Sequence, residues 1–140
     1  MKLIVCGGRK YQERVAQFRA MDEIHATTPV TLVIHGACTD RETKKLTGAD
    51  RWAEEWAIER EVPYMGVPAR WTREGRSAGP RRNGRMASIR NVDMVLAMPG
   101  EHFSCSCNSS SERRGTAQTI SQLQLILVSP GSDKCPRRAQ

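Results

Sequence analysis

Leu3-Ile4-Val5-Cys6-Gly7-Gly8 runs four apolar residues without alternation into paired glycines. A run this short and apolar suits a strand buried on both faces, because a strand with one wet face alternates apolar and polar residues. Glycine at its carboxyl end lets the backbone turn sharply or come close to a ligand. The pattern returns at Thr31 to Ala37 (TLVIHGA) and at Met94 to Gly100 (MVLAMPG). Strands ending this way describe an open α/β sheet with its ligand along the carboxyl edge.

Helical patterns fill the intervals. From about Gln12 to Ala26, Val15, Phe18, Met21 and Ile24 recur near helical spacing before Thr27-Thr28-Pro29 ends the element. Gly48-Ala49-Asp50 opens a second helix to about Arg60, with an apolar stripe of Ala49, Trp52, Ala53, Trp56 and Ala57. Between strand and helix, Cys38 to Leu46 (CTDRETKKL) is polar and longer than an ordinary βα connection, which marks an insertion or a functional loop. Tyr64 to Val67 reads as a short strand fenced by Pro63 and Pro68, and Gly75, Gly79 and Pro80 predict an irregular path until a helix starts near Arg81. Residues 101–114 are serine-rich and expected to be mobile, a short helix follows Gly115-Thr116, and Leu125 to Val128 closes the sheet. The prediction is a Rossmann-like three-layer α/β sandwich with a mostly parallel sheet of about five strands. One domain spans residues 1–128, and residues 129–140 form a disordered tail.

A chain of 140 residues is large enough to bury a core without disulfide or metal support. Met1 leads directly into a strand and no apolar run reaches membrane-spanning length, so a cytoplasmic protein without a membrane partner is expected. Five cysteines, an odd number, argue against a disulfide framework. Cys6 and Cys38 fall at strand ends, where cysteine behaves as a small core residue. Cys105 and Cys107 form a C-x-C near His102, but a zinc site needs about four ligands and no second pair is evident, so no metal and no cofactor is expected.

The net charge of +7 implies attraction to anions. Arg70, Arg73, Arg76, Arg81, Arg82, Arg85 and Arg90 crowd one segment, and arginine suits forked contacts to phosphate. For most of them a solvated helix face is the simpler explanation. A second anion signal is Gly115-Thr116 at a helix start, downstream of Pro99-Gly100 at a strand end, since free N–H groups and the helix dipole favour a phosphate there.

Four linked stretches, VCGGRKY (Val5 to Tyr11), IHGA with GADRWAEEWA (Ile34 to Ala57), PARW…G..AGP.RN..M (Pro68 to Met86) and a broken PG…RGT (Pro99 to Thr116), resemble the YspA/YpsA-related branch of the SLOG superfamily. The resemblance covers residues 2 to about 120 in order. It implies a Rossmann-like fold and binding of nucleotides or nucleotide-derived ligands such as ADP-ribose-type molecules. Distant relatives, the Lonely Guy enzymes, hydrolyse the N-glycosidic bond of nucleoside monophosphates.

Residue by residue, the resemblance places Gly7, Gly8 and Arg9 at the first ligand-facing turn and His35 and Gly36 at the second. Asp50 falls where its carboxylate either holds a ribose hydroxyl or caps its helix. Arg82, Asn83 and Met86 fall where the Lonely Guy enzymes carry an arginine-lysine pair and a methionine, and Gly100, Gly115 and Thr116 fall on the phosphate-binding turn. The family's unbroken proline-glycine-glycine-x-glycine-threonine is interrupted here by about fourteen residues after Gly100. The glutamates that follow Gly-Thr in the hydrolases are replaced by Ala117, Gln118 and Thr119. A glutamine neither acts as a general base nor stabilises an oxocarbenium ion as a carboxylate does. Glu101 and Glu112, which flank the insertion, and Asp40 and Glu42, in the earlier loop, are the acids that could substitute, and His35 is a second acid-base candidate or a structural histidine.

The expected function is therefore sensing or sequestration of a nucleotide-derived small molecule. Arg82 and Asn83 would clamp its phosphate, and Trp71 or Tyr11 would stack on its base. A phosphoribohydrolase, with Arg82 and His35 as catalytic candidates, is one alternative. A single-stranded nucleic-acid binder using the arginine-rich segment is another. A homo-oligomer is compatible with either.

Overall fold

The computed structural model describes residues 1–98 and the strand Gln124–Leu127. Chain order is β1 (Lys2–Cys6), α1 (Arg14–Thr27), β2 (Leu32–His35), α2 (Gly48–Glu59), β3 (Tyr64–Gly66), α3 (Trp71–Glu74), a 3-10 turn (Gly75–Ser77), α4 (Ala78–Ala87), β4 (Val92–Ala97) and β5 (Gln124–Leu127). The sheet order is β3-β2-β1-β4-β5, and each neighbouring pair is parallel. The expected Rossmann-like α/β sheet is present, with β5 beside β4. Chain direction across the sheet reverses between β1 and β4, the switch point at which such sheets open a crevice.

Each face of the sheet has its own core. Leu3 and Val5 of β1 pack with Phe18 and Met21 of α1 and Ala53, Trp56 and Ala57 of α2. Ile4, one residue out of phase, faces the other way and packs with Ile34, Val95 and Met86 of α4. That alternation within an all-apolar strand is why the run does not read as amphipathic: both faces are covered. Burial of each of the larger aliphatic, methionine and phenylalanine side chains stabilises the fold by about 1.5–3 kcal/mol.

Local details depart from expectation in instructive ways. Val15 is 69% exposed, and the helix instead buries Gln17 beside Phe18, Met21 and Ile24. Gln17 is accommodated because its Nε2 donates to the Ala49 carbonyl at 2.9 Å, tying α1 to the start of α2. Tyr11 is 7% exposed, a core residue rather than a base-stacking surface. The segment from Trp71 to Ser77 is helical rather than irregular, and α4 starts at Ala78. Pro80 sits in the first turn of α4, where its missing N–H has no intrahelical partner to lose. The predicted mobile loop 101–114, the short helix after Gly115-Thr116, the Cys105/Cys107/His102 group and the tail 129–140 lie outside the described residues.

Candidate functional site

A cleft of about 400 Å³ opens along the carboxyl edge of β1, β2 and β3. Arg9 reaches it from the turn after β1, Gly36 to Arg41 and Lys44 from the loop after β2, Pro68, Ala69 and Trp71 from the segment after β3, and Arg82 from α4. Four cationic side chains (Arg9, Arg41, Lys44 and Arg82) thus line it beside one carboxylate, Asp40. Such an imbalance inside a concavity concentrates positive potential where an anion would sit.

The loop after β2 is a folded arm rather than a loose insertion. Thr39 and Leu46 form an antiparallel bridge, and the Thr47 N–H donates to the Cys38 carbonyl at 2.9 Å. At its tip Asp40 Oδ1 accepts the N–H groups of Glu42 and Thr43, each at 2.8 Å, an Asx-type turn that presents Arg41 and Lys44. Those backbone donors, Thr43 first, hold the Asp40 carboxyl below its ordinary range.

Arg82 is half-buried and held from two directions. Its Nη1 donates to the Gly36 carbonyl, and its Nε donates to Asn83 Oδ1 at 2.7 Å. The guanidinium lies so close over Gly36 that a Cβ there would stand 2.8 Å from Arg82 Cζ, so any larger residue displaces it. Of the seven arginines between positions 70 and 90, Arg70, Arg73, Arg76, Arg81 and Arg90 are exposed, the solvated face the sequence suggested for most of them. Arg85 is spoken for by Glu74 Oε1 at 3.2 Å.

Asp50, in the first turn of α2, spends both carboxylate oxygens on the β2 turn. Oδ1 accepts the Gly36 N–H at 3.3 Å and Oδ2 the Cys38 N–H at 2.9 Å. Between them Ala37 adopts φ +48°, a left-handed conformation unfavourable for alanine by about 1 kcal/mol. His35 completes the support: fully buried, its Nδ1 accepts the Ala37 N–H at 3.1 Å. The proton of the neutral ring is thereby assigned to Nε2, which lies 3.1 Å from Glu54 Oε2 without hydrogen-bond alignment. The imidazole stacks on Tyr64. His35 and Asp50 both hold the turn from beneath rather than lining the cleft.

Trp71, 51% exposed, lies at the cleft with the Arg9 guanidinium 5.7 Å from its ring centroid. Gly7 and Gly8 lie at the end of β1, where the Gly8 carbonyl accepts the Tyr11 N–H at 3.2 Å. Cys6, the last residue of β1, has its thiol pushed up to about 12, chiefly by burial, with the Asp50 carboxylate adding and Arg82 opposing. Gly100, Gly115 and Thr116 lie outside the described residues. Among the expected site residues, the fold therefore brings Arg9, Gly36, Trp71 and Arg82 to one cleft. Arg41 and Lys44 were not singled out; the length and charge of the loop were the signal that pointed to them.

The family model for YspA, cpYpsA-related SLOG proteins matches residues 1–73. The chain belongs to this SLOG family. The matched SLOG region carries β1, β2, β3 and the first two expected ligand turns, and it ends within α3, before Arg82 and Asn83. No curated protein and no solved structure matches the chain. Among the described residues no group of His, Cys, Asp and Glu is arranged to hold a metal ion, and no helix is long and apolar enough to cross a membrane.

Proposed function

We propose that this SLOG protein binds a nucleotide-derived anion of the ADP-ribose type in the cleft at the carboxyl edge of β1 to β3. The observation that carries the reading is the composition of that cleft: four cations against one carboxylate, with an exposed indole at its margin. Phosphate charge suits the cations, and a base has a planar face for Trp71. The YspA/YpsA-like motifs support the same ligand class, and the cleft volume is within the range of small-molecule sites. Sensing or sequestration, rather than hydrolysis, is favoured by the state of the cleft's acid. Asp40 Oδ1 accepts two backbone N–H groups that hold its carboxyl below the ordinary range, which makes it a poor general acid for cleaving a glycosidic bond.

Mass spectrometry of small molecules released by denaturing the purified full chain tests the proposal. A retained nucleotide-derived phosphate supports it. A protein that carries none and shows no heat on titration with ADP-ribose at millimolar concentration contradicts it.

A further inference from the structure

Asn83 is the neighbour of Arg82 on α4, and adjacent residues on a helix do not ordinarily face each other. Here Asn83 Oδ1 nevertheless takes the Arg82 Nε–H at 2.7 Å. Only the amide oxygen can meet that donor, so the orientation of the Asn83 side chain is fixed by the arginine. With Nη1 anchored on the Gly36 carbonyl and the guanidinium lying close over the Gly36 Cα, the head is constrained in its plane and on one face.

We propose that Asn83 is a positioning residue for the anion site and that it dictates how Arg82 meets its ligand. The inference rests on the proposed anion-binding cleft. A guanidinium offers five N–H donors. Asn83 takes the one on Nε and Gly36 takes one on Nη1, which leaves three, all on the two terminal nitrogens. The side-on fork of Nε and Nη2 is closed by Asn83, so the anion is received through the terminal nitrogens. Asn83 itself does not touch the ligand. The cleft is lined by Arg82 but not by Asn83. The expectation that both residues clamp phosphate is thus replaced by a division of labour in which one binds and the other aims. The gain is pre-organisation: a flexible side chain already held in its bound geometry loses less freedom when the ligand arrives.

Inorganic pyrophosphate is the probe, titrated calorimetrically into the wild-type chain, Arg82→Lys, Asn83→Leu and the double variant. Arg82→Lys keeps the charge and discards the Nε donor that Asn83 serves. Asn83→Leu is expected to weaken pyrophosphate about fivefold or more with a melting temperature within about 2 °C of wild type, since no ligand contact and little core is lost. In the Arg82→Lys background the same change is expected to do nothing further, the signature of two residues acting as one unit. An Asn83→Leu protein that binds as well as wild type, or an equal loss in both backgrounds, overturns the positioning role. The cleft reading fails separately, if Arg82→Ala leaves pyrophosphate affinity unchanged. Should Asn83→Leu fold poorly, the Arg82 Nε–H resonance of the wild-type chain decides: slow solvent exchange without ligand is expected, and exchange as fast as that of the exposed Arg73 contradicts the proposal.

Discussion

Asp50 and Arg82 hold the same residue from opposite sides: the Asp50 carboxylate accepts the Gly36 N–H, and the Arg82 guanidinium donates to the Gly36 carbonyl. One lies on α2 and the other on α4, helices that pack on opposite faces of the sheet. The turn after β2 is therefore the point at which the two layers meet, and the site's arginine is set by the position of that turn.

Two glycines separate this function from the fold. A Cβ at Gly36 meets the side-chain head of Arg82, which can be displaced without moving main chain, whereas a Cβ at Gly48 stands 2.8 Å from the Arg9 backbone carbonyl carbon, and Gly48 holds φ +64°. Gly48→Ala is expected to destabilise the protein by about 2 kcal/mol or more, because both the dihedral and the clash with main chain oppose it. Gly36→Ala is expected to leave the denaturation midpoint near wild type while weakening anion binding about tenfold, through displacement of the guanidinium. Chemical denaturation and calorimetry on the two variants read these outcomes, and the reverse pattern would show that the Gly36 turn is structural only.

Trp71 is exposed and contributes little packing, so Trp71→Ala is expected to keep its melting temperature within about 2 °C of wild type. ADP-ribose affinity should fall by about 1–3 kcal/mol, the worth of stacking a base on an aromatic ring. Pyrophosphate, which has no ring, should bind as before. Equal losses for both ligands would place the indole's role in the architecture of the cleft instead.

Thiol labelling distinguishes the two described cysteines. Desolvation and the neighbouring Asp50 carboxylate raise the pKa of the half-buried Cys6 thiol, and only a thiolate is a competent nucleophile. Iodoacetamide at neutral pH is expected to spare Cys6 in the folded chain and to modify it in denaturant. Cys38 lines the cleft, so whatever labelling it shows should diminish when ADP-ribose is present. Peptide mapping by mass spectrometry reads both sites.

Away from the cleft, Asp22 ties α1 to α2. Its carboxylate accepts from Arg60 Nη2 at 2.9 Å and from Trp56 Nε1 at 2.9 Å, and the Arg60 hydrogen bond holds its pKa below the usual carboxylate value. A depressed pKa stabilises the folded state above the unfolded value and is lost as pH falls through the folded one. Both partners are substantially exposed, so the contribution is small and shrinks with salt. Asp22→Asn should therefore narrow the gap to wild type as pH falls below 4, which urea melts across that range would show.

The sheet was legible because buried parallel strands leave apolar runs, and β1, β2 and the Met94 to Ala97 part of β4 carry them. Their ends were less so: β4 starts at Val92, behind Asn91 at φ +61°, rather than at Met94. Val15 fitted a helical period yet faces solvent, and the helix turns Gln17 inward because the Ala49 carbonyl is there to receive it. A partner 32 positions away leaves no trace in local periodicity. The same holds for Asp50, whose place at a helix start was readable but whose partners, Gly36 and Cys38, were not. Arg82 stood out among its neighbours through motif resemblance alone; nothing in its local composition separates it from Arg81.

Calorimetric titration of ADP-ribose into the wild-type chain and Arg82→Ala tests the central claim most directly. Saturable binding by the wild type is expected, with a loss of about 1.5–3 kcal/mol in the variant, the worth of a charge-assisted hydrogen bond, and an unchanged melting curve. Equal affinity in the two proteins would contradict it, and would return Arg82 to the solvated face that its neighbours occupy.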